Sequence, residues 1–140
     1  MIDILKLVNK VKKTYDHLCL SVMKKYDLTR SELDILLFLY NNPENDSAKD
    51  IVEKRGLVKS HVSMGIESLI KKGLLMSQRD EQDKRKYHLY VLDQAKPIIH
   101  DGLIIQKQFG DMIFYDISEE ETEIFKNILL KMYTNLEVEK

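Results

Sequence analysis

Residues 47–92 read SAKDIVEKRGLVKSHVSMGIESLIKKGLLMSQRDEQDKRKYHLYVL. The order of this stretch predicts a helix, a tight turn, a second helix and then a charged β-hairpin. The first helix is expected from Ser47 to Arg55 and ends at Gly56, because glycine accepts the left-handed backbone with which helices often close. The second helix is expected from Lys59 to Lys72, ending at Gly73.

Two apolar-rich runs after Gly73 predict the strands of the hairpin, Leu74–Met76 and Tyr87–Leu92. In the second run apolar and polar positions alternate, as in a strand with one buried face. The polar run 77–86 predicts the connecting loop. A helix-turn-helix followed by such a hairpin can reach two adjacent grooves of DNA.

Helical spacing of apolar residues continues on both sides of this stretch. It predicts a helix over residues 3–26, a helix opened by the capping box Thr29–Glu32, a helix from Pro97 to about Tyr115, and a last helix opened by the capping box Ser118–Glu121. The inner face of the helix that begins at the Thr29–Glu32 capping box is expected to carry Leu33, Leu36, Leu37 and Tyr40. The fold class is therefore mainly α with a small β-wing, a winged helix-turn-helix of six helices with two strands between the fourth and the fifth.

The outer helices are apolar over wide arcs, as the run Ile98, Ile99, Leu103, Ile104 and Ile105 illustrates. Such a helix must be covered on more than one side. We therefore expect a twofold homodimer, with residues 1–26 and 97–140 as dimerisation helices and residues 29–92 as a DNA-binding lobe. The whole chain, 1–140, is expected to form one domain.

Composition limits the class of protein. Of the 140 residues, 44% are hydrophobic and 32% are charged, which is typical of a folded chain. No apolar run approaches the roughly 20 residues of a spanning helix, so we expect no membrane partner. The start of the chain lacks the pattern of a secretion signal, and the single Cys19 favours a reducing compartment, so the expected location is cytoplasmic.

The net charge of −1 is near neutral, but the charges are segregated along the chain. From Leu57 to Leu92 there are seven basic and four acidic residues, whereas from Ser118 to Lys140 there are three basic and six acidic. A cationic middle and an anionic end would leave one face attractive to phosphate.

Several motifs in this order resemble those of the MarR family of bacterial transcriptional regulators, which are dimeric winged-helix proteins. They are Leu28-Thr29-Arg30-Ser31-Glu32-Leu33-Asp34-Ile35-Leu36, Val58-Lys59-Ser60-His61-Val62-Ser63, Leu69-Ile70-Lys71-Lys72-Gly73-Leu74-Leu75 and Asp83-Lys84-Arg85. The resemblance covers essentially the whole chain. Val58 and His61 depart from it, and Met64 and Ser68 stand where the family often has arginine.

The resemblance implies double-stranded DNA as a partner and the helix from Lys59 as the one that reads it. Phosphate contacts are expected from Lys59 and Ser47, each at a helix start. The candidates for contact with base edges are Ser60, His61, Ser63 and Met64.

In the wing, the resemblance implies that Arg85 enters the minor groove, where a narrow groove favours guanidinium. Asp83 is expected to hold the hairpin by pairing with a neighbouring basic residue. Arg79, Lys84 and Lys86 are expected to contact phosphate or to act only as solubilising charges.

A small-molecule effector crevice is a further implication, with Tyr15, Tyr26 and Tyr40 as candidate lining residues, although such tyrosines are often plain core. Cys19 permits a redox-sensing alternative, although a buried thiol is the commoner case. The histidines and Cys19 show no paired ligand spacing, so no metal or other cofactor is expected. No phosphate loop or nucleophile elbow is present, so we expect no enzyme.

The function that follows is a sequence-specific, homodimeric regulator, most simply a repressor, which binds a pseudo-palindromic operator and is released by an effector. The alternatives are a winged-helix protein-interaction module without DNA binding, favoured by the near-neutral charge and Met64, and a redox-sensing regulator acting through Cys19.

Overall fold

The computed structural model describes residues 3–137, which form six α-helices and one antiparallel hairpin. The elements are α1 (Ile4–Tyr26), α2 (Arg30–Asn41), α3 (Ala48–Asp50), α4 (Lys59–Lys71), β1 (Leu75–Arg79), β2 (Tyr87–Val91), α5 (Lys96–Ile113) and α6 (Glu119–Glu137). This order confirms the predicted fold class, a mainly helical winged helix-turn-helix.

The helix starts follow the predicted capping chemistry. The Glu32 amide donates to Thr29 Oγ1 at 3.2 Å, and the Thr29 amide donates to Glu32 Oε1 at 2.9 Å. The same reciprocal pair joins Ser118 and Glu121 at the start of α6, at 3.0 and 3.1 Å. Both capping boxes satisfy amides that have no acceptor inside the helix.

The third helix differs from the continuous helix predicted over Ser47–Arg55. After the single turn of α3 the backbone widens into a π-helical turn over Ile51–Arg55, which closes at Gly56 with φ 75°. Ile51 is fully buried, and Arg55 Nη2 lies 3.5 Å from Asp34 Oδ1 on α2. Both ends of the turn are therefore held against α2.

The hairpin corrects the predicted strand boundaries. Ser77, Gln78 and Arg79 were expected in the loop, but they pair with Leu89, His88 and Tyr87 as the second half of β1. Ladder hydrogen bonds are made by the backbone, so polar side chains do not end a strand whose face is exposed. The wing loop is therefore confined to residues 80–86.

The chain divides into two compact units, Met1–Gln106 and Lys107–Lys140. In the first unit α2 is central, and every residue from Glu32 to Leu39 is buried. Tyr40, predicted on the inner face, is instead 55% exposed, because it lies in the last turn of α2, beyond the buried run. Leu33, Leu36 and Leu37 are buried as predicted.

The second unit contains the end of α5 and the whole of α6. None of the residues described in α6 is buried, and its exposed apolar side chains include Phe125, Ile128, Leu129, Met132 and Leu136. Over residues 3–137, no helix combines the length and the hydropathy required to cross a bilayer.

Candidate nucleic-acid interface

The position of α4 is fixed by its packing on α2. Val62 and Leu69 are 1% and 0% exposed, and between them Gly65 lies against α2 so closely that a Cβ there would be 2.6 Å from Ile35 Cδ1. A larger residue at this position would therefore force the terminal methyl group of Ile35 to shift. The side of α4 opposite to α2 is exposed to solvent.

The predicted base-reading residues lie on that outward side. Ser60, His61, Ser63 and Met64 are all exposed, and Met64 retains 69% of its surface. Lys59, the first residue of the helix, is exposed as well. The structure thus collects these five candidates within the first two turns of one helix.

Ser68 lies one helical turn after Met64 on α4 and is partly buried. Its hydroxyl donates to Glu32 Oε2 at 2.9 Å, so it bonds inward to α2. At this position, where the resemblance implies an arginine, the chain makes an internal contact instead.

The start of α4 differs from the capped starts of α2 and α6. Val58 is its N-cap and makes no side-chain hydrogen bond to the first turn. Amides at a helix start carry partial positive charge and accept an anion readily. The first turn of α4 therefore has donors that its own cap does not satisfy.

Ser47 is already engaged within its own capping box. Its Oγ accepts from the Asp50 amide at 3.1 Å and donates to Asp50 Oδ2 at 2.8 Å. This confirms Ser47 as the N-cap of α3. A phosphate contact by the Ser47 hydroxyl would have to compete with the Asp50 carboxylate.

The wing loop is organised by Asp80, which sequence reasoning did not single out. Its Oδ2 accepts from the amides of Gln82 and Asp83 at 3.0 and 2.8 Å, and its own amide donates to the Lys86 carbonyl at 2.8 Å. A single carboxylate thus folds the loop on itself, an Asx-turn arrangement.

At the tip of the wing, Asp83 pairs with a neighbouring basic residue as predicted. Asp83 Oδ1 accepts from the Arg85 amide at 3.0 Å and lies 3.5 Å from Arg85 Nε. The Arg85 side chain is nevertheless 93% exposed. It is held at its base and free to contact a ligand along the rest of its length.

The other wing cations fall into two groups. Lys84 and Lys86 are exposed. Arg79 is held by Tyr87: its Nη2 donates to the Tyr87 hydroxyl at 2.7 Å, and its guanidinium lies 5.4 Å from the ring centre. The guanidinium of Arg79 is thus engaged by a neighbouring side chain on β2.

His88 lies between two carboxylates. Nδ1 is 2.9 Å from Asp46 Oδ2, and Nε2 is 2.7 Å from Asp80 Oδ1. Hydrogen bonds to Asp80 and Asp46 raise the pKa of His88 above its ordinary value, and the bond from His88, with those from the amides of Asp83 and Gln82, lowers the pKa of Asp80 to about 2. Local sequence pattern gave no signal for this contact, because Asp46 is 42 residues away.

The three candidate effector residues lie at different places in the first unit. The Tyr15 hydroxyl accepts from Gln106 Nε2 at 3.4 Å and its ring lies under Arg30, whereas the Tyr26 hydroxyl donates to Asp101 Oδ2 at 2.7 Å. Tyr40 is exposed. The assignment of these tyrosines to an effector crevice stays a prediction.

Cys19 is fully buried in α1. Burial raises the pKa of its thiol, which reduces the fraction of reactive thiolate. The environment is that of an apolar core residue.

Comparison with known proteins agrees with this geometry. Residues 26–86 match the family model described as MarR family. The chain is 24% identical over 109 residues to a Bacillus subtilis protein named as an uncharacterized HTH-type transcriptional regulator, YdgJ; the match covers 78% of this chain and 66% of that relative's length.

Solved structures share the fold. A MarR-family regulator from Listeria monocytogenes, complexed with a 26mer DNA, superposes with a TM-score of 0.85 at 17% identity, over 97% of this chain and 90% of the other. Bordetella bronchiseptica BpsR, whose DNA binding is described as regulated by 6-hydroxynicotinic acid, superposes with a TM-score of 0.71 at 18% identity, over 94% and 99%. The predicted family resemblance is confirmed.

Proposed function

We propose that this chain, which matches the MarR family model over residues 26–86, is a sequence-specific DNA-binding regulator of transcription that acts as a repressor. The observation that carries the proposal is the outward side of α4, where Lys59, Ser60, His61 and Ser63 are exposed together. These side chains donate hydrogen bonds of the kind that base edges and phosphates accept.

The α4 helix would lie in the major groove, with its first turn toward the DNA. The open N-terminus after Val58 supports a phosphate contact there, since its cap makes no side-chain bond. Lys59 would add a cation to the same phosphate. Met64 would supply an apolar contact, of the type that a thymine methyl group accepts.

The wing would lie in the adjacent minor groove. Arg85 is the residue that we assign to that groove, because its guanidinium is exposed at the tip of a loop that Asp80 and Asp83 hold in shape. Lys84 and Lys86 would neutralise backbone phosphates on either side. The wing would thus recognise the shape of the minor groove, whereas α4 would recognise base edges in the major groove.

We further propose that the protein is a homodimer. Exposed apolar side chains run along α6, and separately Leu5, Leu7 and Val8 are exposed at the start of α1. Surfaces of this kind are usually covered by a partner. Residues 1–26 and 97–140 of two copies would cover each other and place two α4 helices about one helical turn of DNA apart, on a pseudo-palindromic operator.

An effector that prefers one spacing of the two reading lobes would change operator affinity in proportion to that preference. For BpsR, which shares this fold, a small molecule is described as regulating DNA binding. Tyr15, Tyr26 and Tyr40 remain our candidate lining residues. Of these, Tyr15 and Tyr26 are half-buried, and each ring lies beside a cation, Arg30 and Lys25 respectively.

Selection of binding sites from random duplexes by the purified full chain tests the proposal. We expect a single enriched sequence with inverted half-sites about 10 base pairs apart, centre to centre. Affinity for the enriched duplex should fall steeply as salt is raised, because bound cations release counterions from DNA.

The protein-interaction alternative makes the opposite prediction. A chain that fails to bind any duplex even at low salt, and that enriches no sequence, is not a DNA-binding regulator. Analytical ultracentrifugation of the same sample tests the dimer separately, since a monomer at micromolar concentration would contradict that part.

A further inference from the structure

The two hydrogen bonds that His88 makes, one to each of two carboxylates, join parts of the fold that are distant in sequence. Asp46 lies just before α3, whereas Asp80 begins the wing loop. The Leu89 amide also donates to the Asp46 carbonyl at 2.8 Å, so the same segment is joined to β2 by its backbone. The loop before the helix-turn-helix and the wing therefore meet at His88.

The protonation state of His88 follows from its partners. An ionised carboxylate only accepts hydrogen bonds, so each ring nitrogen must carry a proton to donate to its neighbour. The neutral ring has one N–H and would lose one of the two contacts. His88 is therefore an imidazolium when both contacts are made.

Among the described residues, the charged groups that bond to the His88 ring are Asp46 and Asp80. On α2, Arg30 and Asp34 bond to each other, and Glu32 is bonded to Lys72. On β1, the residue opposite His88 is the neutral Gln78, and Arg79 is bonded to Tyr87. Arg79 and Glu81 also line the pocket beside His88, whereas Asp46 and Asp80 are the charged groups bonded to its ring.

We propose that His88 is the positioning residue of the wing: its imidazolium fixes Asp80, and with it the loop that presents Arg85, to the segment that leads into α3. This inference rests on the proposed DNA contact of the wing. Asp80 orders the loop through the amides of Gln82 and Asp83. A wing fixed in this way loses less conformational entropy on binding, and so binds more tightly.

The arrangement has a pH dependence with a definite sign. Because the pKa of His88 is raised, the double contact is complete below the ordinary histidine value of about 6.5 and is lost as the pH rises through the raised value. Wing order, and with it affinity for DNA, should therefore decline on the alkaline side.

The free protein provides the first test. We would follow the His88 ring and the amides of Gln82 and Asp83 by NMR while the pH is raised. The inference expects the two amides to shift with the same midpoint as the ring, and the shared transition to vanish in His88→Gln. Amides that do not follow the ring would overturn it, whatever happens with DNA.

Affinity for the selected duplex provides the second test. At pH below about 6.5, His88→Gln and Asp46→Asn should each weaken binding about fivefold, the double variant should be no weaker than either, and the loss should disappear at alkaline pH. The comparison with wild type at each pH removes the effect of His61, which is present in every variant.

Asp93→Asn is the matched control for Asp46→Asn, since Asp93 is an exposed carboxylate that lies outside the wing and outside the proposed dimerisation helices. It should bind like wild type at every pH. Equal affinity of His88→Gln and wild type across the range would overturn the positioning role. Failure of wild type to bind any duplex would instead overturn the proposed function, while the NMR titration would still decide whether His88 orders the wing.

Discussion

Lys72 Nζ lies 2.9 Å from Glu32 Oε2, and this contact ties the C-terminal end of α4 to the first turn of α2. Glu32 is 1% exposed and also accepts from Ser68 Oγ and the Thr29 amide, each at 2.9 Å. Burial alone would raise the pKa of Glu32, but these hydrogen bonds lower it below its ordinary value. One buried carboxylate thus caps α2 and sets the position of α4.

Glu32→Ala should therefore destabilise the protein by about 2–3 kcal/mol, because it removes the acceptor of the Thr29 amide and the Ser68 hydroxyl and the carboxylate partner of Lys72. Urea unfolding of both proteins measures the difference. Glu67→Ala is the control: Glu67 pairs with Lys71 on the surface of α4, where such a pair contributes about 0.5 kcal/mol or less. Equal losses in the two variants would contradict the role of Glu32.

Asp101 gives a prediction for acid stability. Its carboxylate accepts from Lys25 at 2.9 Å and from the Tyr26 hydroxyl at 2.7 Å, which joins α1 to α5, and these bonds lower the pKa of Asp101 to about 2. Because this pKa is lowered in the folded state, the carboxylate stabilises the fold at pH values above its ordinary pKa of 3.8. The stabilisation is lost as the pH falls toward 2.

Asp101→Asn should accordingly unfold at a lower temperature than wild type at neutral pH, and the gap should narrow as the pH falls below about 4. Thermal unfolding at a series of pH values measures it. Asp111→Asn, which removes an exposed partner of Lys107, serves as the control and should track wild type. A gap that stays constant with pH would contradict the assignment.

Cys19 should be inert in the native protein, because it is fully buried and its thiol is predominantly protonated. We expect a thiol reagent to label Cys19 only after unfolding in urea. Peroxide-treated protein should bind the selected duplex with unchanged affinity. Rapid labelling under native conditions, accompanied by loss of DNA binding, would instead support the redox-sensing alternative.

Features set by neighbouring residues were predictable from the sequence. The capping boxes at Thr29 and Ser118 and the left-handed glycines at Gly56 and Gly73 depend on residues a few positions apart, and the structure has all of them. The exposed side of α4 followed from helical spacing in the same way. Arg85 was singled out by the resemblance of Asp83-Lys84-Arg85 to the family motif, and it lies exposed in the wing loop.

Contacts between distant segments were not predictable. His88 reads as an ordinary polar residue of a strand, and only the fold brings Asp46 to its ring. Ser68 reads as a surface position until Glu32 is placed beneath it. The length of β1 was underestimated for a related reason, because its polar half is held by backbone pairing with β2, which side-chain hydropathy does not report.

Arg85→Ala gives the most direct test of the wing. The side chain is 93% exposed, so its removal should leave the stability of the fold unchanged. A guanidinium in the minor groove should nevertheless matter for binding, and we expect affinity for the selected duplex to fall about tenfold. If the Arg85 guanidinium also neutralises a phosphate, its removal should decrease the slope of log affinity against log salt by about one.

Lys126→Ala, which removes an exposed cation from the acidic helix α6, is the matched control and should change neither quantity. A wild-type affinity and slope in Arg85→Ala, measured in the same titrations, would remove the wing from the interface and leave α4 as the part of the chain that contacts DNA.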